Sequence, residues 1–418
     1  MWSGVTSRTI ERKAVERLLS AAAVRSTAHR ILTLARAGSL EDWAVNMDRL
    51  QDTVDFVANV VRERYPTLHP PLHARWRHFV FGGRDLWGEI ANARAWESPA
   101  AAARAAFDLA ITSVLLDAGA GSDWRYHDVG TGLTAARSEG LALASLRWFA
   151  RGGLSDHPGD PLRADATALC RIDERAADDA FQSAEGNRLQ GTHGRAELLN
   201  RLGTAVQARP ELFAVADLPR PGGLFDALTQ RASHGEISAA AVLEVLLDGL
   251  GSIWPNRPTL EGVSLGDCWP HPALQGEPLA DGFVPLHKLS QWLAYSLIEP
   301  LESAGLRVSD LGKLTGLAEY RNGGLFVDMG VLVPRAGDAF ERKHDVADPF
   351  VVGWRAATVA LLDEIAPRVA ARLGVPAAQF PLARVLEGGT WAAGRLIART
   401  RRADGGPPFQ ISSDGTVF

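Results

Sequence analysis

The sequence predicts a mainly α-helical protein: a single large helical body with one or two short β hairpins. Three observations predict it. Apolar residues recur at helical spacing through most of the chain, strand-like alternation is confined to two segments, and Gly and Pro are scattered instead of being gathered into a linker. A chain of 418 residues can bury a large core. The softest stretches, 152–161 and 251–282, carry ionisable residues, and the second also holds Trp254 and Trp269, so they read as ordered loops and residues 1–418 as one domain.

Taken in order, Val15, Leu18, Leu19, Ala22 and Val24 form a first apolar stripe. Val54, Phe56, Val57, Val60, Val61 and Tyr65 form a second, which Pro66 stops because it cannot continue a helical hydrogen-bond ladder. Ser98 is a suitable N-cap and Pro99 sits where its missing N–H is harmless, which predicts a helix over 101–116. Leu141, Leu143, Leu146 and Trp148 mark another over 134–149. The same spacing predicts helices over 195–208, 239–250, 286–301 and 354–373. Strand expectations fall on 324–333 and 409–417.

Composition excludes several classes. A net charge of -5, from 44 basic and 49 acidic residues well mixed, leaves no footprint for a nucleic-acid polymer, although one or two arginines suffice for a single phosphate. Cys170 and Cys268 stand in dissimilar contexts without metal spacing and are read as reduced and buried. The polar start and the short apolar run 239–250, broken by Glu244 and Asp248, predict no signal peptide and no membrane span, hence a cytoplasmic protein. Phosphate-loop, dinucleotide and Gly-x-Ser-x-Gly patterns are absent, so no cofactor or metal is expected. Nothing indicates an oligomeric state.

Four polar and aromatic clusters interrupt the helices. His69, His73, Trp76, Arg77 and His78 come first; Pro70 and Pro71 argue against a helical metal pair, leaving histidines that brace a loop. Around Trp124 and Tyr126, Arg137 and Glu139 can supply directional contacts to a ligand held on flat aromatic faces, or simply pair within an interhelical connection. Asp267, His271, His287 and Trp292 offer acid-base chemistry, recognition of an amide or diol, or plain packing. The fourth, 317–328, sets Glu319, Tyr320, Arg321 and Asp328 beside paired glycines, and is either an internal network or a pocket wall.

The segments 73–79, 123–126, 137–141, 223–226 and 316–326, the last reading Gly-Leu-Ala-Glu-Tyr-Arg-Asn-Gly-Gly-Leu-Phe, together resemble the uracil catabolism protein family of fungi and bacteria, over nearly the whole chain. That resemblance implies a small ribosyl or phosphoribosyl ureide as partner and scission of an anomeric C–N bond. A more distant resemblance, to the queuosine nucleoside salvage hydrolases, implies a DNA-glycosylase-like helical body. It also matches Glu319-Tyr320-Arg321 to a nucleoside-pocket segment in which the other family carries aspartate.

By these resemblances the chain is an N-glycosidase acting on ribosylurea or its 5-phosphate. Glu319 is then the carboxylate that stabilises the oxocarbenium-like state, with Asp328 as reserve base or ribose ligand. Asp267 or His271 would assist the leaving urea, Arg321 and Arg137 would hold a phosphate, and Trp124 and Trp292 would wall the site. Two alternatives stay open: a hydrolase or lyase attacking the ureide carbonyl, centred on 267–287, and a non-catalytic binding protein. For the ribosyl-ureide site, Trp124, Arg137, Asp267, His287, Trp292, Glu319, Arg321 and Asp328 are expected to surround one concavity.

Overall fold

A computed structural model of the chain describes residues 12–121, 123–216, 218–274 and 279–412. The fold is mostly helical. One contiguous cluster of buried apolar side chains runs from Ala21 to Phe409. At its centre lies Pro99–Leu115, whose sequence is mostly apolar apart from a stripe of Arg104, Asp108 and Thr112, and whose side chains are buried all round from Ala105 onward. Ser98 Oγ accepts the Ala101 N–H and Pro99 occupies the first turn, as the sequence predicts. Lys288–Ser303 packs on this helix, and Arg137–Ala150 also packs on it.

The longest helix, Pro349–Leu373, begins five residues before its sequence-predicted start. Periodicity alone missed the cap: Asp348 accepts the Phe350 N–H and Pro349 takes the first helical position. Gly374, at φ +76°, closes the other end in the left-handed conformation. This helix packs against Ala21–Arg36 and Leu50–Arg64.

The strand expected over 324–333 is largely a helix. Tyr320–Asp328 is helical, and only Leu332–Pro334 is extended, paired antiparallel with Trp43–Val45. The glycines mislead because they serve close packing instead of a turn. A Cβ on Gly323 would stand 2.8 Å from the Trp354 indole, and one on Gly394 would stand 2.1 Å from the Arg321 carbonyl oxygen of the facing helix. Trp391–Arg401 can therefore lie directly on Tyr320–Asp328.

At the C-terminal end Gln410–Ser412 pairs parallel with Lys343–Asp345, Phe409 is a bend, and 413–417 of the expected strand lie outside the described residues. The described residues hold eight two-stranded sheets, six antiparallel and two parallel, where one or two hairpins were expected. Each strand is two or three residues long, too short for alternation to register in sequence. No described helix is long and apolar enough to cross a membrane. Cys170 and Cys268 are both free; Cys268 is buried and Cys170 only half-buried.

Candidate active site

A cavity of about 250 Å³ opens where several helix ends meet. The first turn of Lys288–Ser303 contributes Lys288 and Trp292, and the start of Tyr320–Asp328 contributes Glu319, Tyr320 and Arg321. Asp117 and the glycine-rich turn after Pro99–Leu115 close one side. Arg137 and Ser138 stand at the start of their helix, and Trp391, Asp404, His73 and His78 complete the wall. Helix ends carry unpaired backbone groups and irregular geometry, which suits them to face a polar ligand without breaking a helical core.

Glu319 is the N-cap of its helix. Its two carboxylate oxygens accept the backbone N–H groups of Arg321 (2.8 Å) and Asn322 (2.6 Å), which fixes the carboxylate in the wall with 7% of the residue exposed. The Arg321 guanidinium stacks on Trp391 at 4.2 Å and Tyr320 at 5.4 Å. Two buried donors on this lining, Arg321 Nη2 and Trp292 Nε1, have no hydrogen-bond partner among the described residues. Such orphans are uncommon in a folded interior and mark where a ligand's acceptors can sit.

Of the other ionisable groups, Asp117 and His73 are paired with neighbours, while His78 Nδ1 has no hydrogen-bond partner among the described residues. Arg75, fully buried, donates to Asp117 at 2.9 Å and lies over Trp292. His73 Nδ1 and Glu387 Oε2 are 2.8 Å apart, while the His73 ring stacks on Trp292. His78 is buried edge-on to Trp292, and burial, helped by nearby Arg75, pulls its pKa down to about 4, so it is neutral near pH 7. Burial also draws the Lys288 ammonium down, while Glu319 and Asp117 pull it back up.

His78 makes stability pH-dependent. In the unfolded chain its pKa is near 6.5, so below that pH the unfolded state binds a proton that the folded state refuses, and stability falls as pH drops toward 4. The loss over that window is expected to be roughly 3 kcal/mol. Buried His271 and His287 shift in the same direction and add to it. Thermal melts from pH 7 to pH 4.5 should show a shallower decline for His78→Gln than for the native chain; an identical slope would contradict the assignment.

The cavity brings together part of the sequence-predicted set: Glu319, Tyr320, Arg321, Arg137 and Trp292 line it. Trp124 does not. It is fully buried with Nε1 donating to the Phe181 carbonyl, and Tyr126, also buried, belongs to the Tyr126–Asp128 strand. Glu139 lies behind the wall, paired with Arg395 at 2.5 Å; burial opposes its ionisation, but Arg395, His78 and Arg321 outweigh that and hold it at about 2. His287 bonds the Leu18 carbonyl, and His271 accepts the Ala273 N–H; both are buried away from the cavity.

Asp267 is likewise outside the lining. Arg355 holds it at 2.7 and 2.8 Å, and it also accepts from Trp269 Nε1 and from the Lys288 backbone N–H. It thus anchors the first turn of the helix that presents Lys288 and Trp292.

Asp328 ends the helix that Glu319 begins, nine residues away, which is roughly 13 Å at the α-helical rise. Arg402 clamps it at 2.6 and 2.8 Å beside a separate surface depression. The helix between them is what separates the two acids. Asp328→Asn is therefore expected to leave turnover at the Glu319 cavity unchanged and to lower Tm slightly; a large fall in turnover at native Tm would contradict this placement.

Several lining residues escape the sequence reading. His73 and His78 stand out in it only as loop braces, and Lys288 is not singled out. Asp117 carries a usable signal, since it follows a helix and leads into alternating Ala and Gly. Trp391 carries none, because Tyr320–Asp328 and Trp391–Arg401 meet only in the tertiary fold.

The chain is 36% identical over 418 residues to Protein urg3 of Schizosaccharomyces pombe (strain 972 / ATCC 24843), covering 97% of this chain and 99% of that protein. It is 34% identical over 436 residues to Uracil catabolism protein 4 of Lachancea kluyveri, covering 96% and 98%. Residues 17–418 match the family described as Protein of unknown function (DUF1688). The chain belongs to that family. The resemblance read from its motifs to the fungal uracil catabolism proteins thus extends over nearly its full length.

Proposed function

We propose that this protein is an N-glycosidase of uracil catabolism that cleaves the anomeric C–N bond of ribosylurea or its 5-phosphate. The observation that carries this reading is the Glu319 carboxylate, fixed in the cavity wall by two backbone N–H groups beside the unpartnered donors of Trp292 and Arg321. The pathway comes from the name of the relative Uracil catabolism protein 4. The same reading takes the helical body to be glycosylase-like.

Breaking the bond leaves positive charge on the anomeric carbon and negative charge on the departing ureide. A buried, fixed carboxylate stabilises the first and orients the attacking water. The Trp292 indole N–H suits the second, because a hydrogen bond to the ureide carbonyl oxygen draws charge off the nitrogen. This role replaces that of Asp267 and His271, which stand outside the lining. Water supplies the hydroxyl that adds to the anomeric carbon, and its remaining proton ends on urea.

The test incubates purified protein with ribosylurea and with its 5-phosphate and measures urea, free sugar and ammonia. Intact urea with an equivalent of sugar is expected. Early ammonia without urea would favour attack on the ureide carbonyl, binding without any product would favour a carrier, and inertness with no binding would end the reading.

A further inference from the structure

Three cations line the cavity without a carboxylate at ion-pair distance among the described residues; Arg137 donates to the Asp404 carbonyl at 3.0 Å, and the other two make no side-chain hydrogen bond there. Arg321 is one: 5% exposed, it meets only the faces of Trp391 and Tyr320, and Nη2 donates to nothing. Lys288 is the other, carried on the helix start that Asp267 anchors through the backbone. The neighbouring acids are engaged elsewhere: Asp117 with Arg75, Glu139 with Arg395, and Glu319 with two backbone N–H groups. Glu319 and Asp117 act on both cations from beyond contact distance, and the open Arg321 donor leaves room for an anion that touches them directly.

We propose that Lys288 and Arg321 hold the phosphate of a 5-phosphorylated ribosyl ureide, making the phosphate monoester the substrate and the unphosphorylated compound a poor one. The inference rests on the glycosidase reading for the ureide half, while the phosphate half stands on the two cations alone. A phosphate dianion matches both: its oxygens take the planar guanidinium donors, and the ammonium adds a point charge. Burial lowers the affinity of Lys288 for its proton, and a bound dianion would restore it.

Calorimetric titration of the full chain with ribose 5-phosphate and with ribose tests the phosphate half without turnover. Ribose 5-phosphate is expected to bind at least about tenfold more tightly, the scale of one charge-assisted contact, and Lys288→Gln should remove most of that preference. Arg321→Lys keeps the charge but loses the planar fork and should weaken it in part. Should Arg321→Lys fail to fold, Lys288→Gln, on a partly exposed side chain, still decides. Equal affinity for the two sugars, or a preference untouched in Lys288→Gln, overturns the proposal.

Urea release separates this from the glycosidase reading. Preference for ribose 5-phosphate with no urea from either substrate keeps the phosphate site and removes the glycosidase. Urea released equally from both, with no preference in binding, does the reverse.

Discussion

Replacing Glu319 with Gln is expected to lower urea release by about 10²- to 10³-fold, the effect of removing one preorganised charge from a developing ionic transition state. The substitution keeps the volume and one acceptor oxygen. It removes the negative charge and turns an amide toward one of the two backbone N–H groups that the carboxylate now satisfies. The lost half-cap should cost about 1 kcal/mol of stability, too little to unfold the chain. Glu319→Asp supplies the contrast: aspartate is a good N-cap and keeps the charge, but it draws the carboxylate back by one methylene, so stability should hold while turnover falls. A urease-coupled assay with ribosylurea 5-phosphate, alongside calorimetric binding of the same compound, reads both. Near-native turnover in Glu319→Gln would reduce the carboxylate to a helix cap.

Breaking the Asp267–Arg355 pair is expected to cost more stability than any other single change discussed. Arg355→Met leaves a buried carboxylate whose remaining partners are the Trp269 indole and the Lys288 N–H, a loss on the order of 3–5 kcal/mol. The double variant Arg355→Met, Asp267→Asn should recover part of it, because the unpaired charge goes with its partner; guanidinium unfolding of the three chains measures this. A double variant no more stable than Arg355→Met would show that lost packing sets the cost.

The pair also has an acid limb. Burial opposes ionisation of Asp267, but Arg355 and the surrounding N–H donors hold its carboxyl well below the usual range. Its contribution is therefore complete above about pH 4, the unfolded pKa, and disappears as pH falls below it, under the window in which His78 acts.

Helices were legible from the sequence wherever their causes are local. Ser98 and Pro99 announce one start, Pro66 marks one stop, and the apolar spacing of 239–250 matches Ala239–Leu250. Asp348-Pro349 was equally local, and only attention to periodicity over caps hid it. The Glu319 segment was legible in composition but misassigned in conformation, since its glycines answer to Trp354 and to Pro408, neither of which is near in sequence.

The polar clusters divide on the same line. Capping, helical spacing and turn chemistry act over three or four residues, so residue order alone sufficed for the helices, and the motifs strung along the chain sufficed for the family. Which polar side chains share a cavity depends on how helices distant in sequence cross. Trp124 and Trp292 look alike in sequence, yet one donates to a core carbonyl and the other faces a cavity with its N–H unpaired. Asp267 and Glu319 are both buried carboxylates, but packing gives the first an arginine distant in sequence, while the second caps its own helix and is left beside open space. That choice lies in the relative placement of Lys288–Ser303, Tyr320–Asp328 and Pro349–Leu373, which long-range burial of their apolar faces determines and no local signal encodes.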